Sequence, residues 1–285
     1  MVYITGITGF IGQNLSQYLG EDVVGVNLRS QESLSFDKGA AVVHLAGKAH
    51  DIKKTSVTSE YFAVNTELTK KVFDAFLVSE ASVFVFMSTI KALEGREKGA
   101  SAYSQSKYQA EEYILAKELP TAKRVYILRP VMVHGPGNKG NLNLLFGVVK
   151  RLGIWPLAAF ENKRSFVSVE NLCFVVKALI DNEKVASGVY EVADEEALST
   201  NQLVALAGEA LQKKVAFWKI PKGLVYLLAK LGDVLPLPLN SERLEKLTEN
   251  AVVDASPLLK ALGIKSLPLL TLEGFKKTFD SFVHE

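Results

Sequence analysis

Thr5-Gly6-Ile7-Thr8-Gly9-Phe10-Ile11-Gly12 lies between a short β-type run, Val2 to Thr5, and a segment with Ile11, Leu15, Tyr18 and Leu19 at helical spacing. Three glycines three residues apart in that setting have a physical reading. Gly6 permits a tight turn, Gly9 lets the backbone approach a pyrophosphate, and Gly12 lets the helix pack closely on the sheet. A pyrophosphate there meets free N–H groups and the positive end of the helix dipole. The stretch predicts a strand–loop–helix unit that binds a dinucleotide, with a plain Gly-rich turn as the alternative.

Working outward, short apolar runs alternate with amphipathic segments. The runs are Val23 to Val26, Ala41 to Leu45, Val83 to Met87 and Val125 to Leu128. Between them, Val64, Leu68, Val72 and Phe76 recur every four residues, and a second helix is expected around Tyr103 to Lys117. Continuous apolar runs between helices predict strands buried on both faces, hence an α/β, Rossmann-like, doubly wound parallel sheet. After Arg129-Pro130 the pattern changes. His134 to Gly140 reads as a loop, and helices dominate beyond it, at about Asn141 to Leu152, Glu170 to Asp181, Thr200 to Leu211, Leu224 to Leu231, Ser241 to Leu247 and Leu272 to Phe282. The expected plan is a dinucleotide-binding domain of residues 1–134 plus about 166–190. A smaller, mainly helical substrate lobe would take about 135–165 plus 191–285.

The second strand should end in an acid to hold a ribose 2′-hydroxyl, but it ends Val26-Asn27-Leu28-Arg29. Asn27 removes the charge that repels a 2′-phosphate, and Arg29 can pair with one. Asn27 can equally bond the 2′-hydroxyl with Arg29 solvated, so NAD and NADP both remain open.

Tyr103-Ser104-Gln105-Ser106-Lys107 puts Tyr103 and Lys107 on one helix face. A free tyrosine has a pKa near 10 and is a poor base at neutral pH. A neighbouring ammonium, with the positive charge of an oxidised nicotinamide, is expected to stabilise the phenolate and lower that pKa. Lys107 can also hold the nicotinamide ribose. Val83 to Met87 runs into Ser88-Thr89, hydroxyls at a strand's C-terminal edge, where such sheets bind ligands.

The composition sets limits. The chain has 285 residues, 48% hydrophobic and 22% charged, which excludes disorder and collagen-like repeats. Lys plus Arg is 33 against 31 Asp plus Glu, with no clustered basic stripe, so nucleic acid is not an expected partner. The single cysteine, Cys173, excludes an internal disulfide and a Cys-rich metal site, and no metal is expected. The N-terminus lacks the basic start of a signal peptide, and a cytoplasmic protein is expected. The most apolar late stretch, Ile220 to Leu239, is interrupted by Lys222, Lys230 and Asp233 and broken by Pro236 and Pro238. It reads as a buried or partner-covered amphipathic helix, with membrane-surface contact as the alternative and no transmembrane segment.

Taken together, the chain resembles the extended short-chain dehydrogenase/reductase family, in its NAD-dependent epimerase/dehydratase branch. The carrying residues are TGITGFIG from Thr5, HLAG from His44 to Gly47, Asn65 in AVNTELT, Ser88-Thr89, YSQSK from Tyr103, LRPVMVHGPG from Leu128 and RSFVSVENL from Arg164. The resemblance implies that Gly6, Gly9, Phe10, Ile11 and Gly12, with Asn27, Arg29, Leu45, Ala46, Gly47, Asn65, Ser88 and Lys107, line the dinucleotide. It implies Thr89 as the catalytic hydroxyl, Tyr103 as acid/base and Lys107 as its electrostatic partner. Thr89, Asn141, Arg164 and, more weakly, Arg243 would touch a nucleotide-sugar substrate. A homodimer through helices at about Glu60 to Leu77 and Tyr103 to Lys117 is also implied.

Three departures narrow this reading. The 4,6-dehydratases of the branch follow the catalytic Thr with Asp-Glu, whereas Thr89 is followed by Ile90-Lys91, which leaves an elimination without proton handlers. Only the 13 residues Leu28 to Ala40 separate the second and third runs, so one βα unit is shortened, with Asp37 as the candidate adenine-side acid. The Arg129-Pro130-Val131-Met132 run and Asn240 to Ala255 look more like bacterial relatives that epimerise or reduce C4 of UDP-N-acetylhexosamine derivatives. The leading expectation is therefore a nucleotide-sugar 4-epimerase. An NADPH-dependent 4-ketoreductase is the alternative, and a dinucleotide-sensing binding protein a remote one.

Overall fold

The central apolar runs, Ala41–His44 and Val83–Met87, become strands of a parallel sheet covered on both faces, whereas the Val23–Val26 run is partly exposed. The structure, a computed structural model, describes residues 1–29, 33–49, 57–138, 140–235 and 239–284. It begins with β1 (Val2–Thr5), α1 (Phe10–Leu19), β2 (Val23–Val26) and β3 (Ala41–His44). Next come α2 (Thr58–Tyr61), a π-helical turn (Phe62–Glu67), α3 (Leu68–Val78), β4 (Val83–Met87), a 3₁₀ helix (Ile90–Arg96), α4 (Ala102–Leu115) and β5 (Arg124–Pro130). Then follow β6 (Met132–His134), α5 (Asn141–Leu152), β7 (Ile154–Trp155), β8 (Phe166–Ser168), α6 (Val169–Asp181) and β9 (Gly188–Val192). The chain closes with α7 (Thr200–Ala210), β10 (Ala216–Phe217), α8 (Lys222–Val234), α9 (Ser241–Thr248), α10 (Ser256–Leu262) and α11 (Thr271–His284).

The chain divides into two units. The first, Met1–Val131 with Val169–Val192 and Ala255–Ser266, holds a six-stranded sheet in the order β2-β1-β3-β4-β5-β9, parallel throughout. Every residue of β3 and β4 is buried, as a strand covered on both faces requires. Side chains alternate across the sheet. Val42, Phe84, Phe86, Val125 and Ile127 join Val72, Phe73, Phe76, Ala110 and Ile114 of α3 and α4 in one core. On other elements of this unit, α1 packs against α6.

Among the described residues between β2 and β3 there is neither strand nor helix, so β2 is an edge strand and the shortened βα unit is real. Phe36 from that connection is buried against Tyr3. Asp37, the candidate adenine-side acid, accepts a hydrogen bond from the Tyr3 hydroxyl at 2.8 Å. The first unit also takes in Ala255–Ser266, a stretch the sequence pattern assigned to the other lobe. There α10 buries Leu258 and Leu262 and packs against β9.

The second unit comprises Met132–Ser168, Ala193–Asp254 and Leu267–Glu285. Its core joins Leu142, Phe146 and Val149 of α5 to Val204 and Ala207 of α7 and Phe275, Phe279 and Phe282 of α11. Ser199 starts α7 with a capping box: its hydroxyl accepts from the Gln202 N–H at 3.1 Å, and Gln202 returns the bond to the Ser199 N–H at 2.8 Å. Cys173 lies buried in α6, its thiol pushed up to about 12 chiefly by burial, which makes it unreactive. The Ile220–Leu239 stretch, expected as a buried or partner-covered helix, is helical in its described part but not buried within this chain. It forms α8, whose leucines face outward, because the packing face is made by the smaller Val225 and Ala229.

Candidate active site

The glycine loop has the geometry its spacing predicts. Gly6 sits at φ +70°, where a side chain is strained, and a Cβ there meets the Ala46 N at 2.7 Å. A Cβ on Gly12 would meet the Gly6 carbonyl oxygen at 2.4 Å, so only glycine lets α1 approach the loop this closely. Gly9 stands at the N-cap of α1, no side chain caps that end, and the first turn carries no acid. Free N–H groups without a competing carboxylate fit a pyrophosphate. These residues therefore fit a dinucleotide. Phe10 and Ile11 form the first turn of α1, both partly buried.

The α4 helix carries the next part of the site. Ser101 caps it, accepting from the Ser104 N–H at 3.1 Å, and that start sets which residues face the sheet. Tyr103, Lys107 and Glu111 follow at intervals of four along one stripe. The Tyr103 hydroxyl neighbours that of Thr89, which follows β4. Thr89 Oγ1 also accepts from the Lys91 N–H at 3.3 Å, capping the 3₁₀ helix. Burial pushes the Tyr103 hydroxyl above its ordinary value, and the neighbouring Thr89 side chain lowers it in part. The Lys107 ammonium donates to the Met87 carbonyl at 2.8 Å and lies over the Phe86 ring at 4.7 Å. Burial lowers Lys107 to about 8, and Glu111 acts in the opposite direction.

Glu111 is the residue that sequence reasoning missed here. It is buried, accepts from the Ser88 hydroxyl, and receives the Arg129 Nε at 3.1 Å on both carboxylate oxygens, with Nη2 donating as well. Arg129 is correspondingly raised, first by this bond. Ser88 is thereby tied to the end of β5 and not left to turn freely. The available signal was the i+4 step from Lys107, which places a carboxylate on the stripe already singled out.

Asn65 occupies the π-helical turn and is fully buried. Its Oδ1 accepts from the Lys48 N–H at 2.7 Å, and its Nδ2 donates to the Lys48 carbonyl and to Ser106 Oγ, each at 3.0 Å. A Cβ on Gly47 would lie 3.2 Å from both Asn65 Oδ1 and Lys107 Nζ. Gly47, Asn65 and Lys107 therefore converge, and the absent side chain keeps that point open. Leu45 and Ala46 are held to β1: the Leu45 N–H donates to the Thr5 carbonyl and the Ala46 N–H to Thr5 Oγ1, each at 3.2 Å.

A buried histidine links these two strands to the π-helical turn. Thr69 gives its one hydroxyl proton to the Asn65 carbonyl at 2.7 Å, so it must accept from His44 Nε2, 3.0 Å away. His44 Nδ1 then accepts from the Thr5 hydroxyl at 2.7 Å. Burial, assisted by the Lys107 charge, lowers His44 to about 3, so it stays neutral and keeps this tautomer.

The remaining sequence candidates are placed as follows. Asn27 and Arg29 stand exposed after β2, and Asn27 Oδ1 accepts from the Arg29 N–H at 3.1 Å. Asn141, Arg164 and Arg243 all belong to the second unit. Asn141 is the first residue of α5 and is exposed. Arg164 pairs with Glu249 at 3.0 Å and donates to the Lys246 carbonyl at 2.6 Å, so its guanidinium already has partners within that unit. Arg243 lies in the first turn of α9, its N–H given to Asn240 Oδ1 at 2.9 Å. Among the described residues no cluster of His, Cys, Asp and Glu suits a metal ion.

Comparison with known proteins places the chain in a family. A family model described as the NAD dependent epimerase/dehydratase family matches residues 2–193. The UDP-glucose 4-epimerase of Vibrio cholerae is 30% identical over 99% of this chain and 95% of its own. The N-acetyl-alpha-D-glucosaminyl-diphospho-ditrans,octacis-undecaprenol 4-epimerase of Escherichia coli O157:H7 is 26% identical over 99% and 96%. The solved structure of MoeE5 with UDP-glucose and NAD superposes with a TM-score of 0.73 at 18% identity, covering 99% of this chain and 98% of that one, which shows the shared fold. The chain belongs to the NAD dependent epimerase/dehydratase family and is an enzyme of the extended short-chain dehydrogenase/reductase type.

Proposed function

We propose that this enzyme is an NAD(P)-dependent nucleotide-sugar 4-epimerase, acting on a UDP-hexose or UDP-N-acetylhexosamine, with Thr89, Tyr103 and Lys107 as its catalytic group. The observation that carries the reading is that the Tyr103 and Thr89 hydroxyls neighbour one another at the sheet's C-terminal edge, with Lys107 one turn further along α4. The 4-epimerase names of the Vibrio and Escherichia relatives, which match nearly the whole chain, support the same chemistry.

A bound nicotinamide dinucleotide supplies hydride acceptance and return. Tyr103 takes the proton from the sugar C4 hydroxyl and gives it back after the ring has turned over, and Thr89 holds that hydroxyl in reach. Lys107 is charged at pH 7 and favours the phenolate once substrate and dinucleotide close over it. Gly6, Gly9, Phe10, Ile11 and Gly12 receive the pyrophosphate, and Leu45, Ala46, Gly47, Asn65 and Ser88 line the dinucleotide. Asn27 and Arg29 meet the adenosine ribose. In the second unit, Asn141, Arg164 and Arg243 are assigned to the diphosphate and uridine end of the substrate.

One observation favours a second reading, an NADPH-dependent 4-ketoreductase. The Asn27 oxygen already accepts from the Arg29 N–H, and the pair brings the Asn27 amide N–H groups and the Arg29 guanidinium as donors, a set that suits a 2′-phosphate. One experiment separates the two. The protein is denatured as purified, the released dinucleotide is identified by mass spectrometry, and UDP-glucose and UDP-N-acetylglucosamine are then followed by NMR. Retained NAD together with appearance of the C4 epimer supports the epimerase. Empty protein that binds NADPH more tightly than NADH and forms no epimer supports the reductase.

A further inference from the structure

We propose that Glu111 is a positioning residue of this site, its buried carboxylate clamping Ser88 between the lysine's acceptor and the threonine while sharing the Lys107 stripe of α4. The inference deepens the epimerase reading and rests on its assignment of Lys107. Lys107 and Glu111 are one helical turn apart on the face that carries Tyr103, and both are buried. The hydrogen bonds of the carboxylate reach the reacting groups through Ser88. The Ser88 hydroxyl donates to Glu111, and the Ser88 N–H donates to the Leu128 carbonyl at 2.8 Å. Ser88 is thus held by both its side chain and its backbone. On one side of it, the Met87 carbonyl accepts the Lys107 ammonium at 2.8 Å. On the other, the Thr89 hydroxyl neighbours that of Tyr103. A clamp on Ser88 therefore sets the lysine's acceptor and the threonine hydroxyl together.

The same carboxylate supports the Lys107 charge. The ammonium touches the Met87 carbonyl and the Phe86 ring, neither of which carries a full charge. Burial disfavours its proton, and Glu111 acts against that loss. The other titratable groups around it give no such help. Tyr103 holds its proton more firmly because of burial, and His44 of β3 stays neutral. Arg129 of β5 reaches Glu111 itself and compensates the burial of that carboxylate. On the other elements packed against α4, Glu60 pairs with Lys48, Glu67 pairs with Lys70, and Arg96 lies over the Tyr108 ring.

The test follows the lysine directly, by NMR of the full chain labelled with carbon-13 at lysine Cε. The signal missing from Lys107→Met belongs to Lys107, and in the parent it titrates near pH about 8. In Glu111→Gln it should titrate about one pH unit lower, and the alkaline decline of turnover should move with it. Glu111→Asp, which keeps the charge, should stay close to the parent. Glu111→Gln/Arg129→Met leaves no unpaired buried charge and serves for the same measurement if the single variant does not fold. An unmoved Lys107 titration overturns the proposal, and so does an equal shift in the Asp and Gln variants. A moved titration with an unmoved turnover profile overturns the positioning role. If Tyr103→Phe is then also close to the parent in turnover, it is the catalytic reading that has failed, and the proposal falls with it.

Discussion

The Arg129 guanidinium lies against the Glu111 carboxylate, with Nε 3.1 Å from each oxygen and Nη2 donating to one of them, while Ser88 bonds the same carboxylate. This pair locks the end of β5 to α4 one turn beyond Lys107. Removing one member of a buried pair leaves the other charge uncompensated. Glu111→Ala should therefore lower unfolding stability by about 3–5 kcal/mol, whereas a joint Glu111→Leu/Arg129→Met change should cost much less. Urea denaturation of the three proteins checks this. Equal losses for single and double variants would mean that the pair is not what holds α4.

Tyr103→Phe keeps the ring and removes the hydroxyl beside Thr89. Turnover should fall by about 10² to 10⁴ while dinucleotide affinity stays within about twofold. Steady-state kinetics beside a fluorescence titration with NADH read the two separately. Near-normal turnover would remove Tyr103 from the chemistry.

Lys107 loses its proton through pH about 8 because burial disfavours the ammonium. Turnover that needs its charge is therefore full below that pH and declines above it. The pH–rate profile of Lys107→Met should be slow and lack the decline near pH 8. A decline that persists in the variant belongs to another group.

His44 is neutral in the folded protein down to about pH 3, against an ordinary value of 6.5. The unfolded chain binds its proton first, so the stability from burying neutral His44 is fully present above pH 6.5. It is lost progressively as pH falls from there toward 3, to an extent on the order of 4 kcal/mol. His44→Gln, although weakened by loss of the Thr5 and Thr69 bonds, should show a flatter stability curve across that window. A slope identical to the parent would place the acid sensitivity elsewhere.

Gly12→Ala puts a Cβ 2.4 Å from the Gly6 carbonyl oxygen. Backbone cannot yield as a flexible side chain does, so a loss of about 1–3 kcal/mol is expected, with dinucleotide binding lost in the fraction that remains folded. Calorimetry and equilibrium dialysis test both parts, and a parent-like variant would show that α1 can shift outward.

Much of this protein is local, and local features are legible in a sequence. The glycine loop, the strands Val83–Met87 and Ala41–His44, and the short β2–β3 connection followed from period, apolar runs and chain length, since each depends on neighbours a few residues away. The YSQSK spacing likewise put Tyr103 and Lys107 on one face of α4. What periodicity cannot report is which apolar face finds cover. The leucines of α8 look like core residues in sequence, and only the placement of Val225, Ala229 and Gly232 against the second unit shows that they face outward.

The same limit applies to charge. The sequence by itself determined the parallel sheet with its glycine loop and the Tyr-Lys helix, because these rest on short-range spacing and on backbone geometry that only glycine allows, and its motifs carried the resemblance to the family. The tertiary structure alone decided that Lys107 turns to the Met87 carbonyl, that burial raises the Tyr103 hydroxyl, and that Glu111 and Arg129 meet across 18 residues of chain. Desolvation and long-range pairing depend on what surrounds a group in space, and its neighbours along the chain do not carry that information.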